Sequence, residues 1–296
     1  MDIDIYKFLK KLNINSSEVT AIGNHDLNRH FVYSFLEDNV EKVIKIYYVD
    51  YRLQKELEAY QIAKKSKIPT AKVLSYGRLD NHDYLIMEKV FGETLIKELN
   101  NTPNLSAIYK EMGEYLGALH NNRSNIPKDY KKTWMEQVSS CNNILMNLNC
   151  QDSTKQIFKD AYKIFTEEIE YITLNDIPFG YCHRDFDERN VMVKEGNISA
   201  IIDFEKSKYW NTELDLVQLY RKTLLGNLNL RNAFMEGYKS VMELQEAFNE
   251  RLYLYLIADC LENCCWAYDQ ARSYFDENVE FLEKYLCEKG LGRLLY

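Results

Sequence analysis

Proline and glycine are scarce, 4 and 11 residues in a chain of 296. A collagen-like, proline-rich or low-complexity chain is therefore excluded. Long apolar runs are missing too: the best candidate, around Leu252–Cys260, already carries Asp259. No membrane span is expected. The opening MDIDIYKFLK has two acids and no basic segment ahead of a long apolar stretch, so a secretory leader is not expected either. The seven cysteines are an odd number and include no C-x-x-C pair. Neither a disulfide framework nor a zinc clip is indicated, and a reducing cytoplasm is the expected compartment. Positive charge is also short, with 37 Lys and Arg against 45 Asp and Glu, a net −8. Nucleic acid is not the expected partner, because phosphate backbones bind basic surfaces. Nothing in the sequence names a protein partner.

What is present is an ordinary globular composition, 46% hydrophobic and 28% charged. At this length one core rarely suffices, so two lobes are expected. The first third is strand-rich. Val19–Gly23, Phe31–Leu36 and Lys42–Val49 are β-branched or aromatic runs separated by polar turns. A helical stretch over Tyr51–Lys65 follows, then strands at Lys72–Tyr76 and Tyr84–Val90. From about Thr94 the pattern is helical, with 3–4 spacing in Leu105–His120, Trp134–Leu148 and Lys155–Ile172. Val191–Val193 and Ile198–Ile202 interrupt it as a hairpin around Glu195-Gly196-Asn197.

The chemistry concentrates between Tyr181 and Phe204, YCHRDFDERNVMVKEGNISAIIDF. This stretch holds H-R-D-x-x-x-x-N, formed by His183, Arg184, Asp185 and Asn190, and then Asp203-Phe204. A loop, a short hairpin and a second acid bring Asp203 back beside Asp185 and Asn190. Phosphoryl transfer asks for such parts: a carboxylate that orients the attacking hydroxyl and takes its proton, and oxygen ligands for Mg²⁺. Mg²⁺ needs only one or two protein carboxylates, so Asp203 with Asn190 suffices.

In these residues the chain resembles the protein-kinase-like phosphotransferases, and among them the aminoglycoside phosphotransferase and choline kinase group. The resemblance implies an α+β, bilobal protein-kinase-like fold. A small antiparallel-sheet N-lobe over residues 1–90 would bind nucleotide; a mostly helical C-lobe over 91–296 would carry the catalytic loop and the acceptor site. It implies Asp185 as catalytic base, Asn190 and Asp203 as metal ligands, and ATP or GTP with Mg²⁺ as cofactors. Lys45, in K-V-I-K-I, resembles the strand lysine that grips the α- and β-phosphates, with Lys42 as its rival. Alternation sets Val43 and Lys45 on one strand face and Ile44 and Ile46 on the other. Glu56, or Glu58, would hold that lysine by an ion pair. Gly23 to Arg29, including Asn28, occupies the place of the phosphate-covering loop. Adenine would be read by the backbone near Glu88 to Val90. His183 resembles a structural residue of the loop, and His120 a helix-end one. Where protein kinases carry glycine as the third residue of the metal motif, this chain has Glu205, and no long activation segment follows. A small-molecule acceptor is the better expectation.

The acceptor is read from charge. Glu213 and Asp215 open a helix soon after Asp203, and residues 231–296 alone carry a net −5. Tyr255, Asp259, Glu262, Trp266 and Asp269 recur at 3–4 spacing on one helix face. Acids suit the amines of an aminoglycoside antibiotic, which makes the expected function that of a resistance kinase. Trp266, Tyr268 and Tyr274 would suit the quaternary ammonium of choline. An ethanolamine, aminosugar or macrolide kinase, or a non-catalytic kinase-like binding protein, completes the alternatives.

Overall fold

The computed structural model describes residues 3–23, 25, 30–172, 177–245 and 247–290. The chain is α+β, with an antiparallel sheet in its N-terminal part and helices through most of the remainder. It divides into two compact units. One comprises Met1–Asn122, Cys182–Lys208 and Asn229–Val241; the other comprises Arg123–Tyr181, Tyr209–Leu228 and Met242–Tyr296.

The first unit is built on five strands: β1 Val19–Ile22, β2 His30–Glu37, β3 Val40–Tyr47, β4 Val73–Leu79 and β5 His82–Glu88. Their order is β1-β2-β3-β5-β4, with every pair antiparallel. In this register Lys45 lies opposite Val32 on one side and Leu85 on the other. Helix α1, Ile5–Lys11, is not expected from the residue spacing; Asp4 caps it by accepting the Lys7 N–H at 3.1 Å. Its Ile5, Phe8 and Leu9 pack with Ile44, Ile46, Phe35 and Ile86. That packing covers one sheet face, so alternation turns Lys45 toward the other. Helix α2, Arg52–Lys65, answers it there with a buried row of Leu53, Glu56, Ala59, Tyr60 and Ala63.

Three further pieces complete this unit. A two-residue strand β6, Glu93–Thr94, leads into the short helix α3, Leu95–Glu98. Helix α4, Leu105–His120, meets Phe234 and Tyr238 across two glycines with no room for a methyl group. A Cβ on Gly113 would lie 2.1 Å from the Phe234 carbonyl oxygen, and one on Gly237 would lie 1.9 Å from that of Lys110. The H-R-D loop leads into the hairpin β8 Val191–Lys194 and β9 Asn197–Ile201. Glu195 and Gly196 turn it with positive φ of 53° and 78°, the hand that matches strand twist. The pair β7 Phe179–Cys182 and β10 Lys208–Asn211, which precedes and follows this region in the chain, falls almost wholly in the second unit.

The second unit is mainly helical: α5 Tyr130–Met146, α6 Asp152–Glu168, α7 Leu214–Leu219, α9 Phe248–Gln270 and α10 Arg272–Gly290, with α8 Leu228–Val241 falling almost wholly in the first. Most of α9 from Arg251 to Leu261 is buried, including Tyr255 and Cys260. Trp134 of α5 packs on Phe165 and Tyr255. Among the described residues no helix is long and apolar enough to cross a membrane. All seven cysteines are free thiols.

Candidate active site

Lys45, on the sheet face turned away from α1, is the hub. Its Nζ lies 2.9 Å from Glu56 Oε2, 2.6 Å from Asp203 Oδ1 and 3.2 Å from Glu205 Oε2. Burial alone would depress the ammonium, but the carboxylates of Asp203, Glu56 and Glu205 outweigh it and hold it well above the ordinary lysine value. Lys45 stays charged at every physiological pH. Glu56, not Glu58, makes the ion pair: Glu56 is 1% exposed and also accepts from Tyr47 Oη at 2.6 Å and Tyr60 Oη at 3.4 Å. Glu58 sits on the exposed side of α2. Lys42 reaches Glu37 instead.

The H-R-D loop is pinned from several sides. His183 bonds the Ile202 carbonyl through Nε2 at 3.0 Å and lies 4.6 Å from the Phe204 ring. Ser207 Oγ donates to the His183 carbonyl at 3.3 Å. Asn190 Nδ2 donates to the Asp185 carbonyl at 2.7 Å, which directs its Oδ1 elsewhere. Arg184 and Asp203 hold positive φ, 70° and 65°. Non-glycine residues pay strain there, and such strain clusters at functional sites. Asp203 is ionised: burial would raise its pKa, but Lys45 overrides this and holds it below the usual carboxylate range. Glu205 is pushed down to about 2, against its burial, by the His30 imidazole 2.8 Å away and the charge of Lys45. Two hard oxygen donors, Asn190 Oδ1 and an ionised Asp203, fit Mg²⁺ better than a softer metal.

Several site residues escaped sequence reasoning. Glu205 stands out in the sequence only as a departure from glycine; in the structure it pairs with Lys45, His30 and Arg52. Asp185 carries Lys206 Nζ on Oδ2 at 2.8 Å and Arg189 Nη2 near Oδ1 at 3.5 Å. The only signal for these was nearness to the two motifs. At the loop expected to cover phosphate, Gly23 has a positive φ of 79°, while Asn28 lies outside the described residues. Glu88 ends β5 and donates its backbone N–H to the Lys72 carbonyl at 2.9 Å, with Val90 half-buried just beyond.

In the second unit, Glu213 is fully buried. Arg251 holds it bidentately at 2.7 and 2.6 Å, and Tyr255 Oη donates to it at 2.9 Å. On α9, Asp259 accepts from Asn263 Nδ2 at 2.9 Å and sits 3.3 Å from Arg221 Nε. Trp266 donates to Asn263 Oδ1 at 3.1 Å and leans on Tyr274, ring centroids 5.6 Å apart. The Arg221 guanidinium lies 5.4 Å over that Tyr274 ring. Tyr268 turns away to Phe275 and to the Asn149 carbonyl, so the three aromatics do not gather into one cage. Glu262 is half-buried and Asp269 exposed.

A lysine held by a helix glutamate, an H-R-D loop and an aspartate at positive φ are the parts expected of a kinase-type phosphotransfer centre. The chain belongs to the phosphotransferase enzyme family, whose model matches residues 30–248; it is a small-molecule kinase. No curated protein matches it. Among solved structures it is similar to a thermostable mutant of aminoglycoside phosphotransferase APH(4)-Ia, at 14% identity and TM-score 0.75, covering 97% of this chain and 99% of that one. It is similar to spectinomycin phosphotransferase APH(9)-Ia in complex with ADP and spectinomycin, at 18% identity and TM-score 0.66, covering 95% and 97%. A choline/ethanolamine kinase family protein from Mesorhizobium loti matches at 17% identity and TM-score 0.70, covering 94% and 90%. These likenesses fix the protein-kinase-like fold.

Proposed function

We propose that the protein transfers the γ-phosphoryl group of ATP to a hydroxyl of a small cationic compound, an aminoglycoside antibiotic being the best fit. The observation that carries this is the Lys45–Glu56–Asp203 triad of charges, with Ile202, the residue before Asp203, tied to Asn190 and His183 of the loop that carries Asp185. Asp185 takes the acceptor's proton while Lys45 neutralises the α- and β-phosphates. Asn190 and Asp203 hold Mg²⁺, which supplies charge stabilisation on the phosphates. Residues 1–90, with Gly23, Asn28, Glu88 and Val90, serve the nucleotide; residues 91–296 serve catalysis and the acceptor.

The acceptor class rests on net charge and on the acids of α9, Glu262, Asp269 and Asp259, the last of which is shared with Arg221. Glu213 acts at one remove, since its carboxylate is already taken by Arg251. ATP analogues, ADP, hygromycin B and spectinomycin in the similar structures support the nucleotide and the acceptor class. Choline is the second reading, favoured by the Trp266–Tyr274 pair. Seven free thiols fit a cytoplasmic enzyme. The deciding experiment is transfer of labelled phosphate from γ-labelled ATP to a panel of aminoglycosides, macrolides, choline and aminosugars. Label should enter an aminoglycoside in Mg²⁺ and stop entering it in excess chelator. Label in choline alone would replace the acceptor, and undiminished transfer in chelator would remove the mechanism.

A further inference from the structure

The carboxylate of Asp185 is covered by two cations that are held differently. Arg189 is committed to Asp187, whose carboxylate takes its backbone N–H at 2.8 Å, its Nε at 2.9 and 3.0 Å and its Nη2 at 2.7 Å. Lys206 sits at the end of a flexible stem, its side chain 36% exposed. Among the described residues its ammonium bonds to Asp185 and to no other group. Its backbone is fixed, because the next residue closes a turn from Ser207 N to the Phe204 carbonyl at 2.9 Å and ties to His183 through its hydroxyl. Lys206 thus has a rigid root beside the catalytic loop and a mobile charge on the base.

A base so covered has to be uncovered before it works. Asp185 needs an oxygen within about 2.6–3.2 Å of the acceptor hydroxyl. That hydroxyl must lie about 3–3.5 Å from phosphorus. The terminal phosphoryl group therefore arrives roughly 6 Å from the carboxylate, within the swing of a lysine side chain already resting there. It offers three oxygens and more negative charge than one carboxylate, so electrostatics draws the ammonium across. We propose that Lys206 is a γ-phosphate-binding residue, parked on Asp185 in the nucleotide-free enzyme, that moves onto the terminal phosphate when ATP binds and so exposes the base.

This rests on the phosphotransferase reading above. In the step itself the acceptor hydroxyl gives its proton to Asp185, and its oxygen lone pair forms the new P–O bond. The bond from phosphorus to the bridging oxygen breaks, and its electron pair leaves with ADP. Lys206 gains and loses no proton; it carries charge only.

The test is calorimetric titration with AMP-PNP and with ADP in Mg²⁺, on the wild-type protein and three variants. The wild type should bind AMP-PNP more tightly than ADP. Lys206→Met should weaken AMP-PNP binding about tenfold, the order of one exposed charge-assisted hydrogen bond, with ADP unchanged. Lys206→Arg should keep most of the difference. Asp185→Asn, which removes the competing anchor, should strengthen AMP-PNP binding and leave ADP alone. An unchanged AMP-PNP to ADP ratio in Lys206→Met overturns the proposal. A wild-type protein that binds neither nucleotide overturns instead the phosphotransferase reading on which it stands.

Discussion

Replacing Glu56 with glutamine separates the two carboxylates of α2 that the sequence leaves in competition. Glu56 is buried and accepts three hydrogens, from Lys45, Tyr47 and Tyr60. Glutamine keeps the shape, loses the charge, and turns a donor into a site built wholly of donors. Burial and the neighbouring Glu56 already hold the Tyr47 and Tyr60 hydroxyls well above their ordinary pKa, so both remain protonated and still need an acceptor. Breaking a buried ion pair from one side costs about 3–5 kcal/mol. Lys45 retains Asp203 and Glu205, which places the cost toward the lower end. For a compact unit of this size each kcal/mol is about 2–4 °C in Tm, so Glu56→Gln should melt roughly 6–12 °C lower. It should also lose activity, because Lys45 drawn toward Asp203 no longer meets the nucleotide phosphates. Glu58→Gln, on the exposed face, should stay within about 0.5 kcal/mol of the parent. Differential scanning fluorimetry and a coupled ADP-release assay read both effects. Equal Tm and equal kcat/KM for the two variants would refute the assignment of Glu56 as the partner that holds Lys45.

Asp185→Ala should lower kcat by about 10²–10⁴ with ADP affinity unchanged, checked by initial rates and titration. The double variant Asp259→Asn, Glu262→Gln should raise KM for a cationic acceptor and leave KM for ATP alone, the effect shrinking as salt rises; for a choline-type acceptor Trp266→Ala should do more. Gly113→Ala should destabilise by about 1–3 kcal/mol, since its methyl group meets the Phe234 carbonyl and α4 must shift, which urea unfolding will measure. Burial pushes the Cys141 thiol up to about 12, so its alkylation by iodoacetamide should climb about tenfold per unit from pH 8 to pH 10, as mass spectrometry will follow; a pH-independent rate at Cys141 would contradict that burial.

Much of the fold could be read along the chain because its signals are local. The strand alternation of K-V-I-K-I requires Lys45 to face away from Ile44 and Ile46, and the sheet obeys it by placing α1 on the isoleucines and α2 on the lysine. Leu105–His120 is a helix with the bounds its 3–4 spacing predicts. Helix α1 is not legible along the chain because seven residues with three lysines make a weak pattern; its apolar face gains meaning only against the sheet. The short strands β6, β7 and β10 escaped for a related reason, since each exists through a partner distant in sequence.

The sequence by itself determined the candidate site: Asp185, Asn190 and Asp203 lie close enough along the chain for one loop and one hairpin to unite them. It determined the alternation that aims Lys45, and a net charge of −8. Only the tertiary structure decided between Glu56 and Glu58, because two residues on one helix differ in function only by which side a sheet happens to cover. It alone set Lys206 on Asp185, Arg52 and His30 on Glu205, and Arg251 on Glu213. Ion pairs have no period, and a charge finds its partner by distance in space, which spacing along a chain does not encode.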